Sequence, residues 1–428
     1  MNARLYKHYL LAVLMVILAF NYVDRLALGL VLQDVKLEFK ASDTQLGFLT
    51  GMAFAIFYSV MGIPIARWAD RGNRVTIISL SAALWSVAVA LCGAVGNFAQ
   101  LLLARVGVAV GEAGFMPPAN SLIPDYFERA ERPRAVATYM LGTALSNLIG
   151  YFLAGWLNEL YGWRAMFAWL GLPGLALAVI AGLTLREPRT RKSATYVCGA
   201  ALAPAQPGLR EVCQRLWGCT TFRHLLLCFS VVSFFGYGIA QWLPAFFFRS
   251  FRLKSGELGT WLAVIYGLGG AIGMYLGGAL ASRFAARNER VQLKALAVVM
   301  SCYGVISALV YLSPTAYVAF GLLGLGYLAF ATAYGPLFAT VQTLVPEHMR
   351  AISIAVIYLF ANLIGLGLGP LVAGAVSDAL RPYLGEESLR YALLTLCPGY
   401  AWVAWHLVRA SRTVDRDLAA IASEGAVS

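Results

Sequence analysis

The chain has 428 residues, of which 60% are hydrophobic and only 13% charged, and its net charge is +12. Soluble domains carry about 25% charged residues, so this composition excludes a water-soluble globule and leaves a polytopic membrane protein. The basic groups sit at the ends of apolar runs and form no single patch, which excludes nucleic acid as a partner.

Apolar runs are drawn at about 8–33, 44–66, 75–96, 98–121, 135–157, 163–185, 224–248, 256–281, 292–312, 314–341, 351–377 and 390–408. About 20 helical residues cross the hydrocarbon core, so the sequence predicts an all-α fold of twelve membrane helices. The first run contains Asp24 and Arg25 side by side, with Asn21 one helical turn earlier. The fourth contains Arg105 and Glu112. An ionised group inside a span costs about 2.5–3.5 kcal/mol or more and must face partners or water. These four charges are the candidate site.

With the N-terminus placed in the cytoplasm, 23 Lys and Arg fall on the cytoplasmic side and 8 on the opposite side. That asymmetry obeys the positive-inside rule, and clusters such as Arg129, Arg132 and Arg134, or Arg283, Arg287 and Arg290, read as topology signals. The first run is too long for a cleavable leader and contains charges, so it is expected to remain as a span. The seven cysteines show no paired spacing, and reduced, packed thiols are expected. His8, His224, His348 and His406 have no ligand spacing. Neither a metal site nor a cofactor is expected, and no GxSxG or phosphate-cradling loop marks an enzyme.

The chain repeats itself. Ser42, Leu46, Gly47, Ala69 and Arg71 return as Ser255, Leu258, Gly259, Ala281 and Arg283, with Ser282 in the place of Asp70. Asn147-Leu-Ile-Gly150 returns unchanged as Asn362-Leu-Ile-Gly365, and Pro124-Asp125 with Arg134-Ala135 is echoed by Pro346-Glu347 with Arg350-Ala351. A displacement of six spans restores the same membrane side, so the halves are parallel repeats. The expected organisation is a six-helix bundle over 1–185, a cytoplasmic linker over 186–222, a second bundle over 223–410 and a cytoplasmic tail over 411–428. Leu209, Val212 and Leu216 recur at helical spacing in the linker, as an interfacial helix or as ordinary linker packing. Val414, Leu418 and Ile421 do so in the tail, where disorder or a weak surface helix is expected.

The segment Gly62-Ile-Pro-Ile-Ala-Arg67-Trp-Ala-Asp70-Arg71-Gly72-Asn73-Arg74 resembles the signature between the second and third spans of the major facilitator superfamily. In the common form another residue separates arginine from glycine; here the glycine follows Arg71 directly. Asn-Tyr-Val-Asp24-Arg25, Arg105, Gly-Glu112-Ala, Gly162-Trp163-Arg164 and the run ending at Pro370 resemble the Spinster-type group within it. The resemblance implies a transporter of lysophospholipid-like or sphingoid amphiphiles, proton-linked and working by alternating access, with substrate between halves. Arg outnumbers Lys by 27 to 6 and the loops are short, which suggests a bacterial member in the inner membrane. A monomer with both termini cytoplasmic is expected.

The residues support a physical reading beside that resemblance. Asp24 with Arg105, and Arg25 with Glu112, are reasonable partners at matched depth, although long arginine side chains leave the opposite pairing open. Glu112 is the candidate proton carrier and Arg25 the candidate headgroup partner, because burial favours a neutral carboxyl while a guanidinium favours a charged one. The competing reading is a static network that ties the first span to the fourth. Asn21, Tyr237, Gln241, Thr332, Tyr334 and Asn362 are the candidate cavity residues, and Asp70, Arg71, Arg74 and Arg134 the candidate cytoplasmic gate. With Ser282 in place of an acid, gating is expected to be asymmetric. Multidrug/proton antiport on the same fold is the alternative function.

Overall fold

The computed structural model describes residues 2–128, 130–188, 209–284, 288–345 and 349–425. Arg129, Arg287, the Pro346-Glu347 echo, His348 and most of the expected linker lie outside the described residues. All regular structure among the described residues is helical.

Helix α1 covers Ala3–Phe39, 37 residues, which at 1.5 Å per residue exceeds the hydrocarbon thickness and carries its ends into the interfaces. Helix α2, Asp43–Arg71, opens on a capping box in which Ser42 and Gln45 satisfy each other's backbone N–H groups. It is interrupted at Gly51, whose φ of −104° and ψ of −90° are not helical. Helices α3 (Arg74–Cys92) and α4 (Phe98–Tyr126) start on Asn73 and Asn97, each accepting a backbone N–H three residues on. The run Arg132–Thr184 is broken at Gly162 into α5 (132–161) and α6 (163–184).

A short helix, Leu209–Gly218, lies in the linker. Helices α7 (Thr220–Phe251), α8 (Ser255–Phe284), α9 (Glu289–Tyr311) and α10 (Ala316–Thr343) follow. The 69-residue run Ile352–Ala420 contains a break at Gly385, where φ is 58°. It yields α11 (350–384) and α12 (388–425). Ten apolar helical runs are present among the described residues; with the two double-length runs divided, they accommodate the twelve spans expected. Stretches of α8 (Ala263–Gly269) and α11 (Ala361–Leu368) are π-helical, in two of the glycine-rich spans, and such wide turns recur at functional sites.

Two compact units form. The first is Met1–Gly199 with Leu243–Gly267, and the second Ala200–Trp242 with Leu268–Ser428. The C-terminal part of α7 and the first half of α8 thus pack with the N-terminal helices, a grouping that a division at the linker alone does not give. The reason is close approach: a Cβ on Gly155 would stand 2.5 Å from the Ser255 carbonyl oxygen and 3.0 Å from the Gly259 Cα. Only a residue without a side chain lets α5 and α8 meet there.

In the second unit Tyr303, Phe330 and Tyr400 form a ring cluster, with Tyr303 4.7 Å from each of the others. The tail departs from expectation. Helix α12 continues to Gly425, Val414 is fully buried, and Asp417 accepts the Thr221 backbone N–H at 2.8 Å. An aspartate at the start of α7 satisfies a donor that the helix itself cannot and opposes the positive end of its dipole. That tertiary cap is what orders a segment whose own sequence specifies little.

Gly162 combines φ 78° with ψ 163°, a region essentially reserved for glycine, and a Cβ there would meet nothing within 4 Å. Gly162→Ala should therefore cost about 1–3 kcal/mol through backbone strain alone, read as a lower melting temperature of the purified protein with no change in helix content.

Candidate functional site

The site is built within the first unit from α1, α2 and α4. Spacings of three and four residues put Asn21, Asp24 and Arg25 on one face of α1. The break at Gly51 sets the direction of the rest of α2 and presents Phe54 and Tyr58, one turn apart, to that face. Arg105 and Glu112 lie two turns apart on α4. Asn21, Asp24, Arg105 and Glu112 are all buried, and Arg25 nearly so.

Arg25 Nε donates to Glu112 Oε2 at 2.7 Å, and its Nη2 donates to the same oxygen. Arg105 Nη1 donates to Asp24 Oδ2 at 2.5 Å. Each carboxylate therefore uses one oxygen, and Asp24 Oδ1 and Glu112 Oε1 are buried without a hydrogen-bond partner, as are both polar atoms of Asn21 and Nε of Arg105. Buried polar groups usually find partners, so this cluster carries unspent bonding capacity. The four charges cancel, which is the condition for holding them at this depth.

Arg25 is also walled by rings. Its guanidinium carbon lies 4.4 Å from the Phe54 ring centroid, 4.8 Å from that of Tyr22 and 5.0 Å from that of Tyr58. Cation–π attraction reaches about 2 kcal/mol when desolvated. The guanidinium thus keeps favourable surroundings whether or not Glu112 carries its charge. These three aromatic residues were not singled out in the sequence; the signal available was their helical spacing, Tyr22 to Arg25 and Phe54 to Tyr58.

The candidate gate residues separate. Asp70, Arg71 and Arg134 are exposed, and Asp70 is engaged by a partner. Arg74 is buried: its Nη2 meets Asp125 Oδ2 at 2.6 Å and Glu187 Oε1 at 2.5 Å, and its Nη1 donates to the Ser121 carbonyl at 2.6 Å. It locks the start of α3 to the ends of α4 and α6. Nearby, Lys7 donates to Glu131 at 2.6 Å and holds that carboxyl below its ordinary range.

A second buried cluster has no signal in the sequence. Asp43 at the start of α2 takes Lys36 Nζ at 2.5 Å and both terminal nitrogens of Arg249, at 2.7 and 2.8 Å, while Arg249 Nε donates to Gln33 at 2.7 Å. Folding leaves the Lys36, Asp43 and Arg249 side chains at most 7% exposed.

In the second unit, Tyr237 and Tyr334 are exposed, and the Thr332 hydroxyl is spent on the Ala329 carbonyl at 2.7 Å. Gln241 keeps a buried Nε2 without a hydrogen-bond partner, and Asn362 lies in the π-helical stretch of α11. Among the described residues no three His, Cys, Asp or Glu side chains gather to hold a metal.

A sequence description of the Major Facilitator Superfamily matches residues 14–370. A solved bacterial homologue of the human lysosomal transporter Spinster, inward-facing and unoccupied, superposes with a TM-score of 0.85 at 30% identity, covering 96% of this chain and 98% of that one. An MFS-type efflux pump of Mycolicibacterium smegmatis is 31% identical over 90% of this chain and 87% of its own. A probable L-galactonate transporter of Escherichia coli is 25% identical over 87% and 82%.

The Arg74 cluster makes an unequal prediction. The Glu187 side chain is 3% exposed and that of Asp125 31%, so removing Glu187 strands the buried guanidinium more completely. Glu187→Ala should cost about 3–5 kcal/mol and Asp125→Ala clearly less, measured as thermal stability in the same detergent. The Lys7–Glu131 bond adds a pH signature. A depressed carboxyl contributes stability above its unfolded value near 4.5, and that contribution is lost as pH falls through the folded value. Lys7→Met should flatten the acid side of the stability profile.

Proposed function

The chain belongs to the major facilitator superfamily, in its Spinster-type group, and from that premise we propose that this multi-pass transporter is a proton-coupled carrier of an amphiphile with an anionic or zwitterionic head. Its work would be alternating access between two six-helix halves. The observation that carries the reading is the Arg25–Glu112 pair: a buried carboxylate using one oxygen, opposite a guanidinium that aromatic rings support independently.

The mechanism follows from the balance of charge. Deprotonated Glu112 occupies Arg25. When Glu112 takes a proton, the pair dissolves, Arg25 keeps its cation–π contacts, and its donors become available to an anionic headgroup. Arrival of that headgroup in turn makes the carboxylate redundant and favours its neutral form. Proton and substrate thus act on one guanidinium, which is the differential interaction that a coupled conformational change needs. Asp24 and Arg105 would hold α1 against α4 while this exchange proceeds. Asn21 would extend the polar surface beside them. Within the second unit, Tyr237, Gln241, Tyr334 and Asn362 would supply polar groups to a surface suited to an acyl or sphingoid chain, while the Thr332 hydroxyl stays on the Ala329 carbonyl. Asp70, Arg71 and Arg134 would form the cytoplasmic gate, with the buried Arg74 bracing the start of α3 behind them, in a cell membrane with both termini inside.

The efflux-pump relative favours a second reading, multidrug/proton antiport, in which Glu112 alternates between a proton and a hydrophobic cation. Competition by hydrophobic cations separates the two. A small organic anion, as the galactonate relative transports, would share the Arg25 requirement and differ in having no need of a chain.

The expected outcome in proteoliposomes is uptake of a labelled lysolipid that responds to an imposed pH gradient, with Glu112→Gln removing the response. A gradient effect that survives this substitution would exclude Glu112 as the carrier. Arg25→Ala should weaken anionic or zwitterionic ligands about tenfold or more, since a hydrogen bond to a charged group is worth about 1.5–3 kcal/mol. Neutral analogues should be affected less.

A further inference from the structure

Two guanidinium groups bear on one benzene ring. Arg25 lies 4.4 Å and Arg105 5.3 Å from the centroid of Phe54, which is 1% exposed. The supports are unequal: Arg25 has Tyr22 and Tyr58 as well, whereas among the described residues Arg105 lies over Phe54 alone.

The bonding capacity around that ring is also uneven. Glu112 Oε1 is a buried acceptor without a hydrogen-bond partner, and Arg105 Nε is a buried donor without one. Both belong to α4, two turns apart, and an arginine side chain is long enough to close much of that distance. A guanidinium drawn to a free carboxylate oxygen should cross to it, and yet Arg105 is on Asp24. Something must set its direction. The Asp24 carboxylate, which takes its Nη1 at 2.5 Å, and the Phe54 ring face that it covers act on it together, and the ring is the part that carries no charge of its own.

We propose that Phe54 is a positioning residue that partitions the charges: by holding the Arg105 guanidinium over its face, it keeps that cation on Asp24 and leaves Glu112 with Arg25 as its single partner. The consequence for coupling rests on the reading of Glu112 as the proton carrier; the partition itself does not. A carboxylate between two guanidinium groups would stay ionised through the physiological range, because each nearby cation favours the charged form. With one partner it can be neutralised. Phe54 therefore makes the acid titratable without touching the proton.

Phe54 is placed for this by backbone and packing together. It follows the non-helical Gly51 by three residues, and its ring stacks on Tyr58 at 5.7 Å and 20°. The charged and titratable groups that face Glu112 are Asp24, Arg25 and Tyr22 on α1, Tyr58 on α2 and Arg105 on α4. Of these, Arg105 is the one whose removal from Asp24 would raise positive charge at Glu112 and lower it at Asp24 simultaneously.

That opposed movement is the test. Infrared difference spectra of the purified protein, recorded across pH, follow the protonated-carboxyl band, and Asp24→Asn and Glu112→Gln assign its components. Phe54→Leu should shift half-protonation of Glu112 to lower pH and that of Asp24 to higher pH, each by about half a unit or more. Phe54→Tyr keeps a ring face and should restore both. A fluorinated phenylalanine at position 54 keeps the shape and weakens the negative face, and it should reproduce the opposed shifts where Phe54→Leu does not fold. Midpoints that stay put, or that move together as general water entry would make them, overturn the proposal. The spectra require no transport, so a Glu112→Gln protein that keeps its gradient response would remove the coupling role and leave the partition standing.

Discussion

Charge neutrality in a medium that does not solvate charge is the constraint on which the rest of this molecule depends. Asp24, Arg25, Arg105 and Glu112 would each be costly alone at their depth, and together they cancel. Neutrality does not, however, require that every bond be made. One oxygen of each carboxylate, the Asn21 amide and Arg105 Nε are buried without hydrogen-bond partners. A purely structural ion pair gains from full satisfaction of its members, and this network stops short of it. In the proposed mechanism, the shortfall is where a proton or a headgroup would find something to bind.

The same principle is applied differently in two further clusters of the first unit. Around Arg74 and around Asp43 the charges are dense and heavily bonded: Arg74 is shared by Glu187, Asp125 and Ser121, and Asp43 is held by Lys36 and by two nitrogens of Arg249. Such clusters are difficult to open, since removing a partner leaves an uncompensated buried charge. The central site is the looser of the three. Aromatic faces substitute there for some of the missing hydrogen bonds, and a face can support a cation without neutralising it.

Helix continuity is broken where chemistry or close approach needs it. Gly51 redirects α2 so that Phe54 and Tyr58 reach Arg25, Gly162 reverses the chain between α5 and α6, and the π-helical stretches of α8 and α11 fall in glycine-rich sequence. The ordered tail shows the converse. Asp417 caps α7 and turns a weakly patterned segment into the continuation of α12.

By itself the sequence determined the membrane class, the twelve spans, the internal repeat and the family, because hydropathy, charge placement and motif spacing are properties of the chain in order. It also singled out Asp24, Arg25, Arg105 and Glu112, since a charge inside an apolar run is conspicuous wherever the fold takes it. Only the tertiary structure decided which arginine met which acid, that rings of Tyr22, Phe54 and Tyr58 enclose Arg25, that Arg74 and Arg249 are buried, and that the tail is capped. Tyr22 aside, those facts join residues 29 to 216 positions apart, and nothing in local spacing records a contact of that kind. An arginine near a span end reads as a topology signal whether it faces lipid headgroups or a buried aspartate; the difference arises when helices pack and remove one of the two from water.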